Sequence, residues 1–454
     1  MFNKKNVDML NGPLFKNIIA YSIPIILTNI LQLLFNAADL MVVGRNCSSD
    51  CVGAVGSTTS LIHLIINLFI GLSVGTGVTC AIAIGTGEGK SVHKVVHTAL
   101  PLALISGVFL TIVGVIISEP LLKLMGTPKE FIDLSATYLK IYFLGITATM
   151  VYNFTSAILR AAGDTKSPFV FLTLAGILNV VLNLIFVLNF KMDVDGVALA
   201  TVISQFLSAI LCVIALMKRT DFCKLVLKKI KIHKRCLLEI LRIGIPSGIQ
   251  SCMFSLSNTL IQSSVNSLGP TVVVGASAAN NLEGFVWVSM NSIHQTALNF
   301  TGQNVGVKNY KRVSQIFTTC ILSVSVIGLV GGLSVYFLGE PLLSIYITDS
   351  PEAIKAGIVR LGFIIAPYFL AGIMDTASGA IRGMGVSLPP MIITIIGVCL
   401  FRVVWIYTIF DIPKYHTAEV LYSSYTISWV CTFLAELFLF IYILKKRKKQ
   451  NLNI

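Results

Sequence analysis

The sequence predicts an all-α membrane protein, with twelve transmembrane helices in two six-helix lobes related by a pseudo-twofold along the membrane normal. Three observations carry that expectation. The 454 residues are 55% hydrophobic and 12% charged, with a mean hydropathy of +0.85, whereas a soluble domain carries about 25% charged residues. The apolar residues fall into twelve runs, and the second six runs repeat the first six at an offset close to 222 residues. Low charge and high hydrophobicity also exclude intrinsic disorder.

The first six runs lie at about 14–43, 52–83, 92–117, 131–155, 167–190 and 195–217. The second six lie at about 237–266, 272–302, 313–337, 354–378, 387–410 and 419–444. Gly, Pro and charge clusters bound each one. A bilayer-crossing helix needs about 20 apolar residues, so runs of this length cross with tilt or overhang. Nothing alternates polar and apolar at a period of two, which a membrane barrel would require. Twelve spans use nearly the whole apolar supply and leave little for a separate water-soluble domain.

Orientation follows from Lys and Arg. With the N-terminus inside, 24 basic residues fall on the cytoplasmic side and five outside (Arg45, Lys123, Lys129, Lys191 and Lys414). Five more (Lys140, Arg242, Lys355, Arg360 and Arg402) fall within spans. The positive-inside bias therefore places both termini in the cytoplasm. It also accounts for the net charge of +14 without nucleic acid as a partner. The partner expected instead is the lipid bilayer of the cell membrane. The cysteines are scattered through apolar runs without metal-ligand spacing, and read as small buried hydrophobes.

The repeat is explicit. Ser118-Glu-Pro-Leu-Leu122 returns as Gly339-Glu-Pro-Leu-Leu343, and Arg160-Ala-Ala-Gly163 returns as Arg382-Gly-Met-Gly385. Pro24 matches Pro246, and Asn36 matches Asn258. The domains are therefore read as an N-terminal lobe (1–217), a basic linker (218–236), a C-terminal lobe (237–444) and a basic tail (445–454). An even number of spans per unit gives both lobes the same direction in the membrane, which is transporter architecture. Two such lobes are expected to rock about a central cleft, with Pro24 as a bend in the first span.

Asn36-Ala-Ala-Asp39-Leu-Met-Val-Val-Gly44, Gly302-Gln-Asn-Val-Gly306 and the paired Arg160 and Arg382 segments resemble the multidrug and toxic compound extrusion (MATE) family over nearly the whole chain. The resemblance implies a transporter rather than an enzyme, an antiporter exporting organic cations or drugs in exchange for protons or sodium. It implies no cofactor beyond that coupling ion, and a monomer is expected. It further implies a cation or proton site in the N-terminal lobe at Asp39, Tyr138, Asn179, Asn183 and Thr201. Asn36, one turn from Asp39, is counted with that site. Several relatives carry an aspartate where this chain has Asn183, which leaves the ion open: sodium ligated at Asp39, Asn179 and Asn183, or a proton carried by Asp39.

An acid at membrane depth is costly unless it meets a cavity or a partner. Asp39 stands near the end of the first span, and its repeat counterpart is the apolar Ile261. The scaffold therefore does not demand an acid there, and a coupling role is the sharper reading. A helix-end acid wetted by external water is the plainer one. Asn179 and Asn183 share one helix face at i,i+4 and are equally readable as interhelical glue. Glu283 and Asp375 are expected to line a substrate cavity. Glu436 and Arg402 read as structural partners or interfacial side chains, and His63 and His294 as pore-lining or proton-relaying residues. Gly89-Lys90-Ser91 imitates the end of a nucleotide loop, but Ile84 stands where its first glycine belongs and no strand precedes it. No nucleotide is expected. Gly71 and Gly75 read as a close helix contact.

Two other functions compete. A flippase for lipid-linked oligosaccharide would need a cationic cleft for pyrophosphate, whereas the basic residues here are overwhelmingly cytoplasmic. A non-transporting membrane scaffold would have no need of acids placed differently in its two lobes.

Overall fold

The computed structural model describes the backbone at 6–46, 49–125, 127, 129–348 and 350–452. Side chains are described there except at 45, 46, 49, 50, 52–57, 59–61, 63, 64, 129, 130 and 452. The side chains of Lys4, Lys5, Arg45, His63 and Lys129 thus lie outside the described residues. Among the described residues there are no strands and twelve long helical rods.

The first six are α1 (Leu14–Asn46), α2 (Ser49–Gly85), α3 (Gly89–Leu124), α4 (Lys129–Ala161), α5 (Lys166–Leu184, prolonged by a π turn at Ile185–Asn189) and α6 (Val194–Lys218). They are followed by α7 (Lys234–Ser267), α8 (Pro270–Gly306) and α9 (Tyr310–Phe337). The tenth rod, α10, joins Pro351–Arg360, a π turn at Leu361–Ile365 and Phe369–Gly383. The eleventh, α11, runs from Leu388 to Phe410 with π turns at Ile395–Leu400 and Ile406–Phe410, and α12 is Ala418–Leu452. Among the described residues ten of these are long and apolar enough to cross a membrane. The other two, α7 and α8, are as long but richer in Ser, Asn and Gln. Their hydroxyls return to the backbone of the preceding turn, as Ser247 Oγ does to the Ile243 carbonyl at 2.9 Å, which makes a polar helix tolerable in a low-dielectric setting.

The helix ends have local causes. Gly269 at φ +101° turns the chain into Pro270, the first residue of α8, where the missing N–H costs nothing. Ser350 caps α10 by accepting from the Ala353 N–H at 3.2 Å. The two Arg-x-x-Gly motifs end α4 and α10 in the same way. Gly163 (φ +84°) and Gly385 (φ +77°) are left-handed caps, each N–H donating to its own motif's arginine carbonyl, at 2.9 and 2.7 Å. A side chain at either position would be strained.

Packing divides the chain into two compact units, and the division runs within helices rather than in the linker. One unit holds Met1–Met9 and Ile23–Cys252, the other Leu10–Ser22 and Met253–Ile454. In the first, Gly71 and Gly75 of α2 meet α7 backbone to backbone. A Cβ on Gly71 would come within 2.3 Å of the Gly248 nitrogen, and one on Gly75 within 2.3 Å of the Ile240 carbonyl oxygen. The GxxxG step is thus a close crossing. Gly89, the false nucleotide-loop glycine, is covered by the Phe222 ring. The linker is held to the same unit. His97 Nε2 accepts from the Val226 N–H at 3.0 Å, and Arg219 pairs with Asp221. Burial pushes the Asp221 carboxyl upward, but the Arg219 hydrogen bond and charge outweigh it and hold it below the usual carboxylate range. In the second unit the start of α1 is pinned by Ser22 to Thr296 of α8 at 2.7 Å and by Tyr21 edge-on to Phe300.

Candidate functional site

In the first unit α1, α5 and α6 bring four polar side chains together. Asn183 Nδ2 donates to Asp39 Oδ1 at 2.5 Å and stands 3.4 Å from Asn179 Oδ1. Asn179 Nδ2 in turn donates to Thr201 Oγ1 at 3.3 Å. Asn183 and Asn179 are buried. Tyr138 of α4 is also buried and lies within electrostatic reach of Asp39. Among the described residues no Lys or Arg pairs with Asp39, and Asn183 Oδ1 is buried without a hydrogen-bond partner. A carboxylate beside an unanswered carbonyl oxygen is a pair of hard acceptors open to a cation. Asn36 is exposed and is not joined to this chain of hydrogen bonds among the described residues.

What holds α1 at this distance is a glycine. A Cβ on Gly176 of α5 would fall 1.8 Å from the Phe35 ring. The ring therefore lies on bare backbone, one turn before Asp39 and about two turns before Asn183. Just beyond Asn183, α5 loosens into its π turn, an irregularity that is common at functional positions.

The second unit answers its acids differently. Arg360 of α10 forks onto Glu283 of α8, with Nε to Oε1 at 2.6 Å and Nη2 to Oε2 at 3.0 Å, and also reaches Asn280 Oδ1 at 3.3 Å. Both side chains are buried. Glu283 therefore does not present the free acid that the sequence suggested, because its counterion is built in. Arg402 does not reach outward either. It is buried, stacks 3.9 Å above the Tyr425 ring and donates from Nε to Ser428 at 3.1 Å. Around these cations Trp287, Tyr368, Trp429 and Tyr425 form a chain of ring contacts. Farther along α10, Asp375 stands 3.2 Å from His294 Nδ1, which is also 2.7 Å from the Asp375 carbonyl oxygen. Glu436 is fully buried and accepts from Thr394 at 3.0 Å, with Arg382 in electrostatic reach of both Glu436 and Asp375.

Arg360 was visible in the sequence only as a cation within a span. An acid and an arginine at membrane depth are mutual candidates, but 77 residues separate them and no helical spacing pairs them. Among the described residues no group of three or more His, Cys, Asp or Glu could hold a metal ion.

Comparison with known proteins agrees with this architecture. The MatE family model matches twice, at residues 24–185 and 246–408, which is the internal repeat seen from outside. The chain is 28% identical to the probable multidrug resistance protein YpnP of Bacillus subtilis, over 88% of this chain and 89% of the other. It is 29% identical to the probable multidrug resistance protein NorM of Thermotoga maritima, over 85% and 84%. A solved structure described as the outward-facing conformation of a multidrug resistance MATE family transporter superposes with a TM-score of 0.91 at 23% identity, over 98% of this chain and 99% of that one. With a family model covering most of the chain in two matched halves, this protein belongs to the MATE family of multidrug efflux transporters and is a transporter, not an enzyme.

Proposed function

We propose that the chain is a secondary antiporter of the plasma membrane that exports organic cations in exchange for protons or sodium, with Asp39 as the coupling carboxylate. One observation carries this reading: Asp39 accepts from the Asn183 amide and pairs with no Lys or Arg among the described residues, beside the unpartnered Asn183 oxygen. A group that must load and release an ion cannot carry a permanent counterion. Asn179, Asn183, Thr201 and Tyr138 complete the site, as ligands if the ion is sodium or as a hydrogen-bonded shell if it is a proton. Asn36 is left at the margin.

For the substrate, Asp375 is the stronger candidate of the two acids expected in a cavity, because its close partner is His294 rather than an arginine fork. The charge of Glu283 is cancelled by Arg360, so its attraction for an organic cation is small. The protein works as a monomer with both termini in the cytoplasm, the orientation favoured by the 24 to 5 distribution of basic residues. The two curated relatives, named for multidrug resistance, support the substrate class. The test is efflux of a fluorescent organic cation from proteoliposomes, with proton and sodium gradients imposed separately. One gradient should drive efflux without nucleotide. Efflux indifferent to both would overturn the proposal.

A further inference from the structure

The first turns of α7 carry a pattern that ion coupling does not use. Lys234, Arg235, Leu238, Glu239 and Arg242 line an open recess of about 440 Å³, and all five are exposed. Their spacing of three and four residues places them on one face of the helix. Arg235 Nε lies 3.4 Å from Glu239, so that pair is neutral within itself. Among the described residues Lys234 and Arg242 have no acidic partner. Farther along, the same face turns apolar and stays exposed, at Ile245 (41%) and Ile249 (38%), in line with Leu238 (55%). The opposite face, with Gly244 and Gly248, is set backbone to backbone against α2, so the recess sits on a fixed rod.

Two cations without acidic partners that flank Leu238, with Ile245 and Ile249 beyond them, complement an ion that is anionic at one end and hydrocarbon at the other. A soluble anion would use only the cations, and a neutral lipid only the apolar side chains. We propose that this face of α7 binds an anionic phospholipid of the cytoplasmic leaflet, its phosphate against Lys234 and Arg242 and an acyl chain along Leu238, Ile245 and Ile249. The leaflet rests on the orientation proposed above; the binding does not.

The experiment is native mass spectrometry of the delipidated full chain in detergent, titrated with phosphatidylglycerol or phosphatidylcholine. At the strength of a basic residue near an anionic surface, two cations should favour phosphatidylglycerol by about 30-fold. Lys234→Gln with Arg242→Gln should reduce the preference to within about three-fold. Lys445→Gln with Lys448→Gln, which removes the same charge from the tail, should leave it intact. Arg242→Glu decides the matter should the double variant not accumulate, and it too should abolish the preference. Inorganic phosphate should not displace the lipid. A preference that survives both α7 variants, falls equally with the tail variant or yields to inorganic phosphate overturns the site. Labelling the tail from either side of the membrane tests the leaflet separately, so a wrong orientation is told apart from absent binding.

Discussion

Around Asp39 the structure sets two amides, a hydroxyl and a phenol, whereas around Glu283 it sets a guanidinium. At the repeat offset of 222 residues Arg360 occupies the place of Tyr138, whereas Asp39 answers to Ile261 and Glu283 to Leu61, so the two acids stand at different places of the repeat. One unit keeps a neutral side chain where the other keeps a permanent positive charge. A carboxylate with dipolar partners has electrostatic room for a mobile cation. One with an arginine fork has already spent its charge on a fixed ion. The same fold thus holds a carboxylate without a fixed cation among the described residues in one unit and an arginine-locked pair in the other.

The comparison breaks most readily at the locked pair. Removing one partner of a buried ion pair leaves an unanswered charge and costs about 3–5 kcal/mol. Glu283→Gln should therefore lower the melting temperature in detergent sharply. Glu283→Gln combined with Arg360→Met should recover most of the loss, because a matched apolar replacement is often neutral. A single variant as stable as the parent would mean that the pair is idle, and the contrast with Asp39 would lose its physical basis.

A smaller effect is expected at Gly176. Its replacement by Ala overpacks the Phe35 contact, at about 1–3 kcal/mol, and moves α1 away from α5. Gradient-driven efflux should fall while the fold survives, and Phe35→Ala in the same chain should restore part of it. No rescue would show that the ring is not the obstacle.

Next comes Asn183→Ala. A hydrogen bond to a charged group is worth about 1.5–3 kcal/mol, so the ion concentration that half-saturates efflux should change about ten-fold or more. The change is upward for sodium, which loses a ligand, and downward for a proton, because the lost donor had favoured the ionised carboxylate. An unchanged half-saturation would remove Asn183 from the site. The least effect belongs to Asn36→Ala, which should leave the same measurement within about two-fold because that side chain is exposed and outside the hydrogen-bonded chain. A change as large as that of Asn183→Ala would enlarge the site.

The spans were legible in the sequence because hydropathy and Gly or Pro punctuation are local signals. The run at 195–217 became Val194–Lys218, and the motif glycines Gly163 and Gly385 became left-handed caps. Pairing across helices was not legible. Nothing in the spacing joins Glu283 to Arg360, and the Asp39 neighbours came into view only through family resemblance. Only Asn179 and Asn183 were linked by period alone, since i,i+4 sets them on one face of one helix. The π turns after Asn183 and Arg360 also escaped, because composition barely distinguishes a π turn from the α-helix around it. The division of packing at Ser22 and Ile23 within α1 depends on which neighbours each half of a continuous helix finds.

The central claim is that Asp39 couples transport to an ion because no fixed cation answers it. The most direct test reconstitutes the parent and Asp39→Asn at equal abundance in proteoliposomes. Accumulation of a fluorescent organic cation against its gradient is measured under the effective ion gradient, together with its exchange when no gradient is imposed. The account predicts that Asp39→Asn loses accumulation while exchange persists, since Asp375, the acid proposed for the substrate, and the locked Glu283–Arg360 pair are untouched. Accumulation at the parent's level by Asp39→Asn would contradict it and move the coupling site elsewhere.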